Sequence, residues 1–391
     1  MSRTVSGWIR TGARRAKRGF TLVELLVVMA IIGLLVGLLV PAVFGVQAAF
    51  NRAAVKFEIQ ALNDAVENYR SKHGDYPPDG SSWPVMEAHL RKAFPNILVS
   101  ELNLLNPSMF SSQVGSVATS RNDNDTMLSA LSPVFQRVMD PAEVLVFFLG
   151  GFSSDGQRPF TGPGGPFAAT GNSLQPYGYN VSRQNSFYEF PTGRLTLDTA
   201  IVGSTSVLVS TDETLFGEAP SQGTMVVDLM PVFMSKLNTD IKKGNPYVYF
   251  DSRTYQSVKG GSVYFNFYQP SNVATAARPF FDGVYFGAAR PYFSEQANVA
   301  LTPNPLFYEN KATFQILSPG RDGRYGGLVK GAGVVMFTSK GNECAPITTG
   351  FKKLDTPNTK KFFVTPNGTD MPSHDNAGNF TETNTLGENA T

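Results

Sequence analysis

The chain has 391 residues and a formal net charge of +2. Its first 19 residues hold six basic residues and no acid, whereas residues 20–391 hold 27 basic and 31 acidic residues. This balance of −4 argues against a basic nucleic-acid-binding face, so we expect no nucleic-acid partner. The single cysteine, Cys344, excludes a disulfide within the chain.

An apolar run from Phe20 to Val46 follows the basic segment, and Glu24 is its one charged residue. As a helix this run would be roughly 40 Å long, more than the ~30 Å hydrocarbon core of a membrane. A cleavable secretory signal has an apolar core of only about 7–15 residues. The run therefore predicts a membrane-spanning helix, and the basic residues before it predict a cytoplasmic N-terminus.

Glu24 needs a functional reason, because a carboxylate in a membrane helix is costly. Residues 18–28, Arg-Gly-Phe-Thr-Leu-Val-Glu-Leu-Leu-Val-Val, resemble the class III signal of type IV pilins and type II secretion pseudopilins. The resemblance implies that a prepilin peptidase removes a basic leader, residues 1–19, by cutting after Gly19, and that it methylates the new N-terminus at Phe20. It also implies that Glu24 meets the charged amine of Phe20 on a neighbouring subunit. A plain membrane anchor is the alternative.

The helix is predicted to continue beyond the membrane-spanning segment, residues 20–46, as an amphipathic segment over residues 47–74. Apolar and small side chains recur in it at three- and four-residue spacing. They are Phe50, Ala54, Phe57, Ala61, Ala65 and Tyr69. Gly74 and the two prolines that follow predict that the helix ends at about His73.

Small residues and a proline recur every four residues within the apolar run, at Gly33, Gly37, Pro41 and Gly45. This spacing predicts a close-packing groove with a kink at the proline. The family resemblance adds a second interpretation, in which Pro41 lies in a stretch that can unwind when subunits assemble.

Residues 75–391 are predicted to form an exported, β-rich globular domain. The fold class is therefore α+β, and the resemblance implies a pilin-like arrangement in which the long N-terminal helix packs on this domain. Loops are predicted near 111–125 and 152–175. The β-rich runs are Glu143–Leu149, Ser206–Ser210, Thr224–Asp228, Tyr247–Asp251, Ser262–Tyr268, Phe314–Leu317 and Val334–Thr338.

Two of these runs, 247–251 and 262–268, are predicted to form a β-hairpin with a long connection. Both contain tyrosines. Such residues suit ordinary cross-strand packing, and a carbohydrate-binding platform is the alternative.

An Asp-Gly turn follows the predicted strand at 314–317. Residues 316–327, Ile-Leu-Ser-Pro-Gly-Arg-Asp-Gly-Arg-Tyr-Gly-Gly, resemble the C-terminal loop of the major type II secretion pseudopilin. The resemblance implies a Ca²⁺ site with Asp322 and Asp375 as ligands, and oxygen ligands on a tight backbone suit that ion. A plain Asx-type turn is the alternative, since Asp375 lies far along the chain. A second oxygen-rich cluster, residues 122–125, is expected to be a solvated loop.

Common catalytic signatures are missing from the sequence. It has three histidines, and it lacks His-Glu-Xaa-Xaa-His, Gly-Xaa-Ser-Xaa-Gly and a phosphate-binding loop. We therefore expect a structural subunit of a type II secretion pseudopilus and no enzymatic activity. The alternatives are an extracellular type IV pilus subunit for adhesion or surface binding, and a membrane-anchored periplasmic binding protein or enzyme.

The resemblance also implies partners and a location. The expected partners are other pilin-like subunits in a homo-oligomeric filament, the prepilin peptidase and the inner-membrane assembly platform. The expected location is the bacterial inner membrane, crossed once, with the C-terminal domain on the periplasmic or extracellular side.

Overall fold

A computed structural model describes the fold. The residues it describes are 20–106, 138–173, 176–202, 204–210, 229–236, 245–259, 262–268, 280–281, 284–286, 289–302, 304–320, 323, 325, 327–330, 333–334, 336–347, 350–353 and 377–381. The chain divides into two compact units, Met1–Phe50 and Asn51–Thr391. It combines an apolar N-terminal helix with a strand-rich C-terminal region, which confirms the predicted α+β class at that level.

The first element is a single helix, α1, which extends over Leu22–His73. Its end lies at the predicted residue. Gly74 follows with φ of +77°, a conformation that favours glycine, and its N–H donates to the carbonyl oxygen of Arg70 at 2.7 Å. The helix therefore closes with a glycine cap before the two prolines.

In the second unit, one face of α1 enters the core. Its buried residues are Val55, Ile59, Leu62, Ala65, Val66 and Tyr69. The predicted apolar face was wrong in its first half, because Phe57 is 76% exposed and Ala61 is also exposed. Branched aliphatic side chains at helical spacing bury more apolar area than the alanines on which the prediction relied, and they set which face turns inward.

Three shorter helices follow α1: α2 (Trp83–Ala93), α3 (Val99–Asn103) and α4 (Glu143–Leu149). Every residue of α4 is buried. The prediction of a β-rich run at 143–149 was therefore wrong. A continuous apolar stretch fits a buried helix as well as a buried strand, since neither exposes a polar face.

The start of α4 carries a helix signal that the strand prediction overlooked. The backbone N–H of Asp140 donates to the Glu143 side chain, and the N–H groups of Glu143 and Val144 donate to the Asp140 carbonyl oxygen. An acidic or hydroxyl residue followed three positions later by Glu is typical of a helix N-terminus. Asp140-Pro-Ala-Glu143 fits that pattern.

The end of α4 is capped by a half-buried arginine. Arg183 donates to the carbonyl oxygens of Val146 and Phe147, each at 2.6 Å, and also to that of Gly151. A cation suits this position because helix C-termini carry partial negative charge. The predicted loop at 152–175 begins here, and it is interrupted by a strand at Phe167–Ala169.

The strands are short, and their register pairs are antiparallel. They are β1 (Phe167–Ala169), β2 (Tyr177–Tyr179), β3 (Leu197–Val202), β4 (Thr205–Ser210), β5 (Val248–Asp251), β6 (Gln256–Lys259), β7 (Ser262–Phe265), β8 (Phe280–Phe281), β9 (Val284–Phe286), β10 (Phe293–Ala297), β11 (Leu306–Tyr308), β12 (Phe314–Ser318), β13 (Gly327–Lys330), β14 (Gly333–Val334), β15 (Met336–Phe337), β16 (Glu343–Ile347), β17 (Gly350–Lys353) and β18 (Ala377–Gly378). The sheet β18–β12–β5 is central, since β5 and β12 are buried throughout.

The predicted hairpin between residues 247–251 and 262–268 was wrong. Strand β5 pairs with β12, and β7 pairs with β6, with only two glycines between them in the sequence. A two-residue connection rich in glycine closes a hairpin at lower entropic cost than the long loop that we expected. Tyr247 and Tyr249 are fully buried, so they do not form a carbohydrate platform.

The predicted strands at 206–210 and 314–317 are confirmed within β4 and β12, and parts of 334–338 form β14 and β15. The predicted strand at 224–228 and the predicted loop at 111–125 lie outside the described residues.

Polar contacts fix α1 against the strand-rich region of the second unit. Glu58 accepts a bidentate pair of hydrogen bonds from Arg194 and a third, at 2.6 Å, from the Tyr247 hydroxyl. The chain near its C-terminus reaches the same helix: Lys56 donates to the carbonyl oxygen of Thr381, and Asn379 donates to Asn63. Side-chain bonds from distant positions thus hold the second half of α1.

Two histidines lie between α1 and α2. The Nε2 of His89 is 2.8 Å from the Tyr69 hydroxyl, and the His73 ring packs on Tyr69 with centroids 4.4 Å apart. Burial, with Lys72 nearby, lowers the pKa of His73 to about 4. Burial, with Arg253 nearby, lowers the pKa of His89 to about 3. Both side chains are therefore neutral in the folded protein near pH 7.

We predict that acid destabilises the second unit through these histidines. Their pKa values are below the unfolded value of 6.5, so stability is full above about pH 6.5 and falls as the pH decreases toward 4 and 3. His89→Gln keeps an acceptor for Tyr69 and removes one titrating group. Between pH 7 and pH 4, the melting temperature of the full-length protein in detergent should fall less for this variant than for the wild type. Identical slopes would contradict the prediction.

Candidate functional site

The candidate site is the N-terminus of α1, where Phe20 and Thr21 precede the first helical residue. The Oε2 atom of Glu24 accepts hydrogen bonds from the backbone N–H and the hydroxyl of Thr21, both at 2.9 Å. In return, the Glu24 N–H donates to the Thr21 hydroxyl at 3.2 Å. This is a capping box, with each residue satisfying a polar group that the helix end leaves without a partner.

The capping box was overlooked in the sequence prediction, which treated Glu24 only as an intermolecular partner. Thr21-Leu-Val-Glu24 has the Thr-Xaa-Xaa-Glu spacing that signals it. Only Oε2 is used, and Oε1 has no hydrogen-bond partner among the described residues. Glu24 can therefore cap its own helix and still accept a hydrogen bond from another molecule.

The first part of α1 exposes a long series of large apolar side chains. Phe20, Leu22 and Val23 are 76%, 78% and 67% exposed, and similar exposure continues along the helix. Residues Leu22–Val40 are long and apolar enough to cross a membrane, judged by length and composition. An apolar surface of this extent marks a membrane or protein interaction site.

The remaining residues of the N-terminal prediction are only partly described. The backbone at Pro41 is helical, and a Cβ added at Gly33 or Gly37 would meet nothing within 4 Å in this chain. Both interpretations of Pro41 therefore stay predictions. Gly19, the residue before the expected cleavage, lies outside the described residues.

The candidate calcium ligands, Asp322 and Asp375, also lie outside the described residues, as does the cluster at 122–125. The glycines that flank Asp322 are described. Gly320 and Gly323 have φ of +68° and +72°, so both of these positions favour glycine. Among the described residues, no group of three or more His, Cys, Asp or Glu side chains is placed to hold a metal ion.

The pairing of β12 with β18 bears on the distance between these two aspartates. Leu317 pairs with Gly378 and Ser318 pairs with Ala377, in antiparallel register. The C-terminal end of β12 therefore lies beside the N-terminal end of β18. Asp322 follows Ser318 by four positions, and Asp375 precedes Ala377 by two. Their long separation in sequence is thus no argument against a shared site.

Comparison with known proteins identifies the N-terminal segment. Residues 14–40 match the family described as the prokaryotic N-terminal methylation motif. Proteins called type II secretion system core protein G are similar to the chain over its N-terminal part. The one from Klebsiella michiganensis is 39% identical over 64 residues, which is 16% of this chain and 45% of that protein.

Two further relatives carry the same name. The protein from Klebsiella pneumoniae is 38% identical over 61 residues, 16% of this chain and 44% of its own length. The Escherichia coli K12 protein is 38% identical over 61 residues and is covered to 42%.

The chain therefore spans less than half the length of these curated relatives. No solved structure matches it. The methylation motif and the relatives agree on the same N-terminal segment, where the exposed apolar helix begins with a capped carboxylate. Over this segment, the chain carries the N-terminal methylation motif and is similar to type II secretion system core protein G.

Proposed function

We propose that this chain is a structural subunit of a type II secretion pseudopilus. One observation carries the proposal: an exposed apolar helix that starts with a single carboxylate coincides with the methylation motif. A filament whose core is built from such helices would cover the apolar side chains that a single chain leaves exposed. The name of the relatives, type II secretion system core protein G, supports the secretion assignment.

In this proposal the chain crosses the inner membrane once, with its N-terminus in the cytoplasm. A prepilin peptidase removes residues 1–19 there, and the assembly platform of the membrane transfers the subunit into a filament of pilin-like subunits. The fold is pilin-like, with the second half of α1 held by the strand-rich region. The Glu58–Arg194 pair and the buried face from Val55 to Tyr69 support this arrangement. The role is structural and needs no catalytic residues.

Assembly would use the second oxygen of Glu24. Its Oε2 is held by Thr21, whereas Oε1 has no partner among the described residues. The charged amine of a neighbouring Phe20 could therefore bind Oε1 without breaking the capping box. Such a pairing would neutralise two charges in an apolar surrounding, where an unpaired charge is very unfavourable.

The size of the C-terminal region favours a second candidate function. The similarity to the secretion proteins covers 16% of the chain, so most of the strand-rich region has no counterpart in that match. An extracellular type IV pilus subunit, with a large head that binds a surface, would use the same helix. Filaments on the cell surface that contain this chain would favour that function over secretion.

Processing gives the first prediction of the proposal. Gly19→Val should leave full-length precursor in the membrane, because the residue before the cut must present a backbone without a side chain. Gly33→Val makes the same change where a Cβ meets nothing within 4 Å, and it should mature normally. Intact-mass measurement separates the two forms. Normal maturation of Gly19→Val would show that cleavage does not occur after this residue.

A second prediction concerns Glu24. Glu24→Leu and Glu24→Gln should each reduce cross-linked oligomers at least about tenfold, because both remove the charge that the neighbouring amine requires. The leucine variant should still insert into the membrane, since it removes a polar group from the apolar helix. Glu24→Gln keeps a side-chain oxygen that can accept hydrogen bonds and removes only the negative charge, so it tests the charge separately. Cross-linking equal to the wild type in both variants would refute the pairing.

We also propose that the loop after β12 binds Ca²⁺ through Asp322 and Asp375. Two observations support it: Gly320 and Gly323 have positive φ, and the end of β12 pairs with the start of β18. Calcium at 100 times its dissociation constant would stabilise the protein by about 2.7 kcal/mol. The melting temperature of the full-length protein in detergent should therefore be higher with calcium than with chelator.

Asp322→Ala should abolish that calcium-dependent shift. Asp155→Ala is a suitable control, because Asp155 also lies in a polar turn, where its Oδ1 accepts from the Gln157 N–H at 2.9 Å. This control should keep the shift. Equal melting temperatures of the wild type with calcium and with chelator would mean that the loop is only a turn.

A further inference from the structure

The chain leaves α1 through a segment, residues 75–81, that is bound to the end of β5 by a network of charged side chains. We call this network the helix-exit junction and define it by Asp75, Asp79, Asp251 and Arg253. Asp75 and Asp79 belong to the exit segment, Asp251 ends β5, and Arg253 lies in the 3₁₀ turn Ser252–Thr254. Asp79 and Asp251 are almost completely buried, at 0% and 1% exposure.

Asp79 is fully satisfied by hydrogen-bond donors. Its Oδ1 accepts from the backbone N–H and the hydroxyl of Ser81, and its Oδ2 accepts from the Asp251 N–H at 3.0 Å, the Thr254 hydroxyl and the Asn266 side chain. Five donors directed at one carboxyl group is the pattern of an ionised carboxylate. Asp79 therefore binds the exit segment to β5 as a buried anion.

Asp251 has a much poorer set of donors. Its Oδ1 accepts from the Arg253 N–H at 3.1 Å, and its Oδ2 accepts from Nε of Arg253 at 2.6 Å. The same guanidinium donates to Asp75 Oδ2 and to the carbonyl oxygen of Tyr76, both at 2.8 Å. One arginine therefore serves two carboxylates, and a third carboxylate, Asp79, lies beside them.

Among the described residues, Arg253 is the one positively charged group in contact with Asp251. Asp79 faces it from the exit segment, Tyr249 from β5, Arg253 from the 3₁₀ turn and Tyr255 from the residue after that turn. From α2, Lys92 lies 3.8 Å from Asp75. The buried part of the junction therefore holds two neighbouring carboxyl groups, Asp79 and Asp251, and the guanidinium that contacts Asp251 is shared with the partly exposed Asp75. A low dielectric makes two adjacent buried negative charges unfavourable.

We propose that the helix-exit junction is a proton-controlled latch, which holds the segment leaving α1 more tightly when Asp251 is protonated than when it is ionised. When the carboxyl is neutral, Asp79 remains the one anion in the buried part of the junction, and Arg253 is available to Asp75 and Tyr76. When it is ionised, two buried carboxylates lie beside each other, and Asp251 shares the charge of Arg253 with Asp75. The exit segment connects α1 to the rest of the second unit, so the latch would make that connection sensitive to external pH.

The electrostatics place the transition near neutrality. Burial raises the pKa of Asp251 to about 7; Arg253 opposes this rise and Asp79 adds to it. The folded pKa is above the unfolded value, so stability is lost as the pH increases from about 4 toward 7. An opening that exposes Asp251 should become about tenfold more favourable between pH 6 and pH 8. The histidines act in the opposite direction and below that range.

Hydrogen exchange of the full-length protein in detergent tests the latch. The N–H groups of Ser81 and Asp251 are reporters, because both donate to Asp79. After correction for intrinsic rates, their protection should fall about tenfold from pH 6 to pH 8, relative to amides of α4. Asp251→Asn should remove this pH dependence. Asp155→Asn, which makes the same change in a polar turn outside the junction, should retain it.

A direct titration keeps the test decisive if Asp251→Asn does not fold. Carbon-detected NMR of the wild-type Asp251 carboxyl should give a midpoint near pH 7, with the Ser81 amide shifting over the same range. An Asp251 midpoint below pH 5, or protection at Ser81 and Asp251 that changes with pH in parallel with α4, would overturn the proposal.

Discussion

Burial of one face of α1 is the constraint on which the second unit depends. Val55, Ile59, Leu62 and Val66 are each at most 3% exposed, and fully burying such a side chain contributes roughly 1.5–3 kcal/mol. This face lies in the same core as residues of α2 and α4 and of the buried strands β5 and β12. The hydrophobic effect is non-directional, and the polar contacts of Glu58, Lys56 and Asn63 fix the orientation of the helix.

The first part of α1 shows the opposite property. Its large aliphatic side chains are exposed, and one oxygen of its single carboxylate accepts hydrogen bonds from Thr21. An exposed apolar surface of this extent is unfavourable in water, and contact with a membrane or with neighbouring helices would cover it. One helix thus carries two surfaces with different requirements, and its sequence differs accordingly: nearly all apolar at the start, and amphipathic where the second unit begins. The pilin-like function that we propose would use both.

The sequence predicted the features that depend on local chemistry. The end of α1 followed from Gly74, and Gly320 and Gly323, which flank the predicted turn, both have the positive φ that favours glycine. The failures came from residues whose structure depends on distant partners. Val144–Leu149 is apolar throughout, and the end of its helix is held by Arg183, 32 to 37 positions away from the carbonyl groups to which it donates. Likewise β5 selects β12 as its neighbour through packing that no local pattern reveals.

Mass spectrometry of the N-terminus of the native protein tests the central claim most directly. The chain carries the prokaryotic N-terminal methylation motif over residues 14–40, and the account predicts that the mature protein begins at Phe20 with one methyl group on its amine. That modified residue would supply the charge that Glu24 is proposed to meet. A native chain that begins at Met1, or one that begins elsewhere without methylation, would contradict the account.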